Sequence, residues 1–273
     1  MEPIATDEDS AAMRACAAHG GALCTVVDID GSWSRRRGAQ LAVLPDGTTR
    51  GSLADGCLER TLAQEAACGG APRVLRYGAG SPFVDIRLPC GSGVEVLLDP
   101  APDRAALAAV VAQLDARGAA TLELGLGHSR HYIPALRLVV AGSGPEVDAL
   151  ERLALAQGHA CETLRPMGEN AGTLSLGRAP QLSLDRWTAL AVLFHDHEWE
   201  RGLLPWALAS EAFLVGAQGG KGAREARLEW LPPDHAARLR SPIGLLPAAR
   251  TPSVLALSVL AAVVADYEMM VGS

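Results

Sequence analysis

"ALRLVVAGSGPEVDALERLALAQGHACETL", residues 135–164, decides the fold of the second half of this chain. An apolar run leads into Gly142-Ser143-Gly144, apolar residues then recur at helical spacing, and a second short apolar run closes the segment. Strand, glycine turn, helix and strand in that order are the opening βαβ of a doubly wound parallel sheet, because parallel neighbours must be joined by a crossover. "TALAVLFH" (188–195) and "AFLVGA" (212–217) add further strands, each followed by a helical pattern. Residues 135–273 therefore read as a Rossmann-like domain.

Upstream the grammar differs. A helical stretch over 7–19 precedes the strand "ALCTVVDID" (22–30), and "GAQLAVLPDGTTRGSL" (38–53) reads as a hairpin turning at Asp46-Gly47. A helix on "LERTLAQEAA", strands on "RVLRYG" and "VDIRLPCGSGVEVLLD", an amphipathic helix over 102–117 and a strand on "AATLELGL" complete an α+β domain, residues 1–126. "GHSRHYIP" (127–134), polar and ending in proline, reads as the linker between the two domains.

With 273 residues, 49 % of them apolar, the chain can build two cores. A net charge of −7 excludes a general affinity for nucleic acid or anionic membranes, so any anion must be met by a local cluster of cations. Cys16, Cys24, Cys57, Cys68, Cys90 and Cys161 show no Cys-x-x-Cys spacing, and "MEPIATDEDS" has neither a basic start nor an apolar signal run. The expectation is a cytoplasmic protein with reduced thiols. "SVLALSVLAAVVADYEMMV" carries Asp266 and Glu268 after a Thr-Pro start and reads as a buried C-terminal helix instead of a membrane span.

Four constellations can carry chemistry. "GSWSRRRGA" (31–39) sets Arg35, Arg36 and Arg37 in a glycine-bounded loop suited to a phosphate or other oxyanion; its plainer reading is a solvated turn. "GSLADGCLE" (51–59) places Cys57 behind Gly56 at a helix start, where backbone N–H groups favour thiolate; the plainer reading is a small core residue. Cys90 sits in a comparable glycine turn, "LPCGSG". Two such cysteines in one domain suit soft-metal or sulfur chemistry.

The third constellation is "VVAGSGPEV". Gly142 and Gly144 match the first two glycines of a dinucleotide turn, Val147 stands at the third, and Arg165 stands where an acid would hold a ribose, an arrangement compatible with a 2′-phosphate or with no dinucleotide. The fourth is "FHDHEWE", with His195, Asp196, His197, Glu198 and Glu200 beyond a strand, and Lys221 in the "GAQGGKGA" loop beside it. A proton carrier or a metal ligand could come from it, although a polar strand-end loop has the same composition.

As an ordered set these motifs resemble the XdhC/CoxI family, the maturation proteins of xanthine dehydrogenase and related molybdenum hydroxylases. The family's Gly-Ser-x-Pro-Arg-x-x-Gly-Ala loop is similar to "GSWSRRRGA", its Gly-x-x-x-Gly-Gly-Cys-x-Glu turn to "GSLADGCLE", and its Cys-Gly-Gly turn to "CGSG". The Gly-x-Gly unit, the His-Asp-His region, the "LVGAQGG" loop and "SPIGLLPAARTP" before a last helix match in order. Departures stand at Ser34, Asp55, Ser92, Arg165 and Ala262; Asp55 would oppose a Cys57 thiolate by like charge.

The resemblance implies an accessory protein, not an enzyme, that binds the molybdenum cofactor, protects it during sulfuration by a cysteine desulfurase and inserts it into an apo molybdenum hydroxylase. It also implies a homodimer. Cys57 and Cys90 would face the metal–dithiolene end and Arg35 to Arg37 the phosphate. Two alternatives stay open: an NAD(P)-dependent oxidoreductase using His195 or His197 as proton carrier, and a scaffold that docks hydroxylase subunits without holding cofactor.

Overall fold

The computed structural model describes residues 9–54, 56–79, 81, 92–168, 173–247 and 249–271. They fall into two compact units, Asp7–Pro134 and Ala135–Ser273.

The amino-terminal unit runs α1 (Ala11–His19), β1 (Ala22–Asp30), β2 (Gln40–Val43), β3 (Thr49–Gly51), α2 (Cys57–Ala67), β4 (Arg73–Gly78), β5 (Gly93–Asp99), α3 (Arg104–Asp115), β6 (Ala120–Gly125) and β7 (His128–Tyr132). Five strands form an antiparallel sheet in the order β3-β2-β1-β5-β4. The period-two alternation of β1 puts Leu23 and Val27 against α1 and α3, and Cys24 and Val26 against the layer that holds α2. Both faces are therefore covered. Leu58 and Leu62 seal α2 to the sheet, each contributing about 1.5–3 kcal/mol by leaving water. Asp103 starts α3 by accepting from the N–H groups of Ala105 and Ala106, a cap worth about 1 kcal/mol.

The expected linker needs correction. Residues 128–132 are strand β7, paired antiparallel with β6 so that Leu122 faces Arg130. Its inward positions carry Arg130 and Tyr132, each answered by a polar partner: Tyr132 Oη donates to Gln40 Oε1 at 2.7 Å, and Arg130 Nη2 donates to the Asp9 carbonyl at 2.9 Å. Alternation written partly in polar letters does not look like a strand.

The carboxy-terminal unit runs β8 (Arg137–Gly142), α4 (Pro145–Ala156), β9 (Ala160–Leu164), β10 (Thr188–Leu193), α5 (Glu200–Leu208), β11 (Leu214–Ala217), α6 (Lys221–Leu228), α7 (Pro233–Arg238), β12 (Leu239–Arg240) and α8 (Pro252–Val271). All five strands are parallel, in the order β12-β11-β10-β8-β9. The chain moves one way from β8 to β9 and the other way from β10 onward, so the loops after β8 and β10 diverge at a topological switch point. Every residue of β10 is buried, as a central parallel strand covered on both faces must be.

Among the described residues α8 alone is long and apolar enough to cross a membrane by length and composition. In this unit it buries Ala256, Val259, Leu260, Ala262 and Val263, and its Asp266 pairs with Arg240 at 2.8 Å.

Candidate functional site

The arginine loop and the Cys57 turn are joined within the amino-terminal unit. β1 carries the chain to Gly31, whose φ of +83° needs glycine and whose Cβ would stand 2.9 Å from Ser92 Oγ. That hydroxyl accepts from the Ser32 N–H at 3.1 Å, so the start of the loop is anchored to the foot of β5. Trp33 Nε1 then donates to the Leu53 carbonyl at 2.9 Å and Arg35 Nη2 reaches Ser52 Oγ at 3.4 Å. Leu53 and Ser52 belong to the turn that leads into Cys57.

Cys57 is the first residue of α2 and is exposed. Gly56 before it has a φ of +94°, a left-handed conformation that glycine adopts without steric cost. The turn is built on Glu59. Its Oε1 accepts from the N–H groups of Leu53 at 2.9 Å and Ala54 at 2.7 Å, and its Oε2 accepts from Gly56 at 2.8 Å. Partial burial disfavours the Glu59 carboxylate, but the backbone donors together outweigh it and hold the carboxyl below its ordinary range. Neither Glu59 nor Trp33 stands out from sequence as a site residue; the readable signal is an acid at the third helical position, the reach-back half of a capping box.

The three arginines part company. Arg35 meets the Ser52 hydroxyl, Arg36 Nη2 pairs with Asp9 Oδ1 at 2.9 Å, and Arg37 is exposed with no ion-pair partner among the described residues. Cys90 and Asp55 lie outside the described residues, although Ser92 of the same "CGSG" turn touches the arginine loop. Burial pushes the thiols of Cys16, Cys24 and Cys161 up to about 12, which leaves them protonated packing groups. Cys68 is exposed at the far end of α2.

In the carboxy-terminal unit Gly142 serves packing. A Cβ there would stand 2.8 Å from Val147 Cγ2 and 3.0 Å from the Leu193 carbonyl. The bulky residue at the third glycine position is thus housed by the first. Gly144, with φ +91°, turns the chain into α4, whose first turn holds Pro145, Glu146 and Asp148. A proline without an N–H and two carboxylates oppose a pyrophosphate at this helix start.

Arg165 does not fill the expected cofactor-binding role. It is buried, with Nη2 2.7 Å from Asp148 Oδ1 and 3.1 Å from Glu151 Oε2. Its charge is matched inside the fold by acids of α4. This unit therefore does not fit NAD(P).

At the ends of β10 and β11 the "FHDHEWE" and "GAQGGKGA" segments converge on Arg227. Its Nη2 donates to the Gln218 carbonyl at 2.6 Å and Nη1 to Ser241 Oγ at 2.7 Å, while Glu200 faces the guanidinium and accepts from His197 Nδ1 at 2.9 Å. Asp196 caps the following turn by accepting from the Glu198 N–H. Among the described residues Lys221 is paired only with Glu225 of its own helix, at 3.7 Å. Among the described residues no three His, Cys, Asp or Glu side chains gather to hold a metal ion.

Fold and site together define a two-unit protein: an antiparallel α+β unit presenting an exposed thiol beside an arginine loop, and a Rossmann-like unit. The chain belongs to the XdhC and CoxI family. The family model of that description matches residues 16–78, and the XdhC Rossmann domain matches residues 138–263. The molybdenum cofactor insertion chaperone PaoD of Escherichia coli K12 is 31 % identical over 271 residues, covering 89 % of this chain and 82 % of that protein. A crystal structure from Bacillus halodurans described as a xanthine dehydrogenase superposes with a TM-score of 0.72 at 21 % identity, over 91 % of this chain and 92 % of that one. At that identity the likeness is one of fold.

Proposed function

We propose that this chain is a carrier that binds the molybdenum cofactor as cargo, shields it, and hands it to an apo molybdenum hydroxylase of the xanthine dehydrogenase type. The observation that carries the reading is the hydrogen bond that joins Arg35 to Ser52, in the turn leading into exposed Cys57, in a relative of an insertion chaperone. The cargo has a soft, sulfur-rich metal end and a hard, anionic phosphate end. A thiol suits the first and a guanidinium fork the second.

In this reading Cys57 contacts the metal end, and Glu59 keeps the turn shaped by holding three backbone N–H groups inward. Trp33 and Ser92 position the arginine loop from its two sides. Sulfuration by a cysteine desulfurase while the cargo is held, action as a homodimer, and a cytoplasmic setting belong to the same proposal. Cys90 is a second thiol contact in it.

The test is molybdenum and pterin analysis of protein purified from cells that make molybdopterin, comparing the unaltered chain with Cys57→Ala. The carrier should retain both components and the variant far less. A docking scaffold would retain neither in either form, and that result would overturn the reading.

A further inference from the structure

Arg130 is 8 % exposed, its guanidinium lies over the Tyr132 ring at 4.4 Å, and its Nη1 has no hydrogen-bond partner among the described residues. Its Nη2 holds the Asp9 carbonyl at 2.9 Å and Asp9 Oδ2 at 3.1 Å. The other carboxylate oxygen, Oδ1, meets Arg36 Nη2 at 2.9 Å. One carboxylate therefore bridges a buried arginine and an arginine of the exposed loop. The loop backbone lies against the same guanidinium, since a Cβ on Gly38 would stand 3.7 Å from Arg130 Nε.

A guanidinium binds oxyanions best through two N–H groups at once. Here one edge is half used, because Asp9 engages Nη2 and leaves Nη1 buried without a hydrogen-bond partner among the described residues. A buried N–H in that state costs free energy. A carboxylate has two oxygens, and both are already engaged in spanning the two arginines. A phosphate monoester has three terminal oxygens and can engage Nη1, Nη2 and the Arg36 guanidinium together.

We infer that Arg130 and Arg36 form a phosphate-monoester site that Asp9 occupies as an internal stand-in, and that a phosphate-bearing ligand enters by displacing Asp9. The inference rests on the carrier reading for the identity of that ligand, the phosphate end of the cargo. It adds to that reading a buried anchor, Arg130, and an internal competitor, Asp9. A tethered carboxylate competes at a high effective concentration. The site then takes its guest only when the incoming anion offers more contacts than Asp9, and gives it up when Asp9 returns.

The experiment measures binding of inorganic phosphate by titration calorimetry at constant ionic strength. If Asp9 fills the site about nine-tenths of the time, Asp9→Asn should bind phosphate about tenfold more tightly than the unaltered chain. Asp9→Asn/Arg130→Met should lose that gain. Asp9→Asn/Arg130→Lys, which keeps the buried charge and so guards against simple misfolding, should lose most of it because an ammonium has no fork. An unchanged affinity in Asp9→Asn, or a gain that survives in both double variants, would overturn the inference. The result is separable from the carrier test. Tighter phosphate binding by Asp9→Asn in a chain that carries no molybdenum or pterin would sink the carrier reading and leave the site standing; retained cofactor with no such gain would do the reverse.

Discussion

Glu200 and Arg227 face each other as a bidentate pair, Oε2 to Nε at 2.7 Å and Oε1 to Nη2 at 2.6 Å, with both residues buried. The pair ties α5 to α6, and Arg227 extends it to Ser241 and the Gln218 carbonyl. It is the structural centre of the edge where β10 and β11 end. His197 hangs on it, half exposed.

Breaking the pair from one side should be costly. Arg227→Leu leaves the Glu200 charge buried without compensation, an expected loss of about 3–5 kcal/mol. Replacing both, Glu200→Leu with Arg227→Met, should recover a large part of that loss, since no charge then remains buried. Urea denaturation of the single and double variants checks both outcomes.

Glu59→Gln removes the charged acceptor from the Leu53, Ala54 and Gly56 donors. The expected cost is about 1–2 kcal/mol near neutral pH, kept modest because the carboxylate is only half-buried and partly screened. The sign with pH follows from a folded carboxyl held below its unfolded value of 4.5. Its stabilisation is present above 4.5 and is lost as pH falls through the folded value. The stability gap between the unaltered chain and Glu59→Gln should therefore close in acid; a gap that stays constant with pH would refute the assignment.

Thiol labelling separates the cysteines by burial. At about pH 8, Cys57 and Cys68, both exposed, should react quickly with a maleimide. Cys16 and Cys24, buried and pushed up to about 12, should stay unlabelled until the fold opens, and Cys161, half-buried and also pushed up to about 12, should react slowly. Peptide mass spectrometry over a time course reads each site by itself.

Two glycines predict opposite outcomes. Gly142→Ala drives a methyl into Val147 and the Leu193 carbonyl and should destabilise by about 1–3 kcal/mol. Gly222 is the second residue of α6, with nothing within 4 Å of its Cβ position, so Gly222→Ala should stabilise by about 0.4–1 kcal/mol by reducing the freedom of the unfolded chain. Thermal melts of the two variants should move in opposite directions.

What the sequence determined by itself is whatever follows from local periodicity and turn chemistry. The strand–glycine–helix–strand of residues 137–164, the hairpin turning at Asp46-Gly47 and the start of α2 at Gly56-Cys57 are local, because hydrogen-bond geometry repeats every two or 3.6 residues and needs no distant partner. The hydrogen bonds that join the arginine loop to the turn before Cys57, from Trp33 to Leu53 and from Arg35 to Ser52, are tertiary and follow from no local pattern.

Tertiary structure alone decided which polar side chains lie inside. Arg130 and Tyr132 lie inside a strand that composition reads as a linker, since Gln40 and Asp9 come to them from far along the chain. Arg165 is bound to α4, and Arg36 is paired with Asp9. A charged side chain can be buried only where an opposite charge and matching donors await it. Those partners are fixed by packing between segments, which no window of sequence contains.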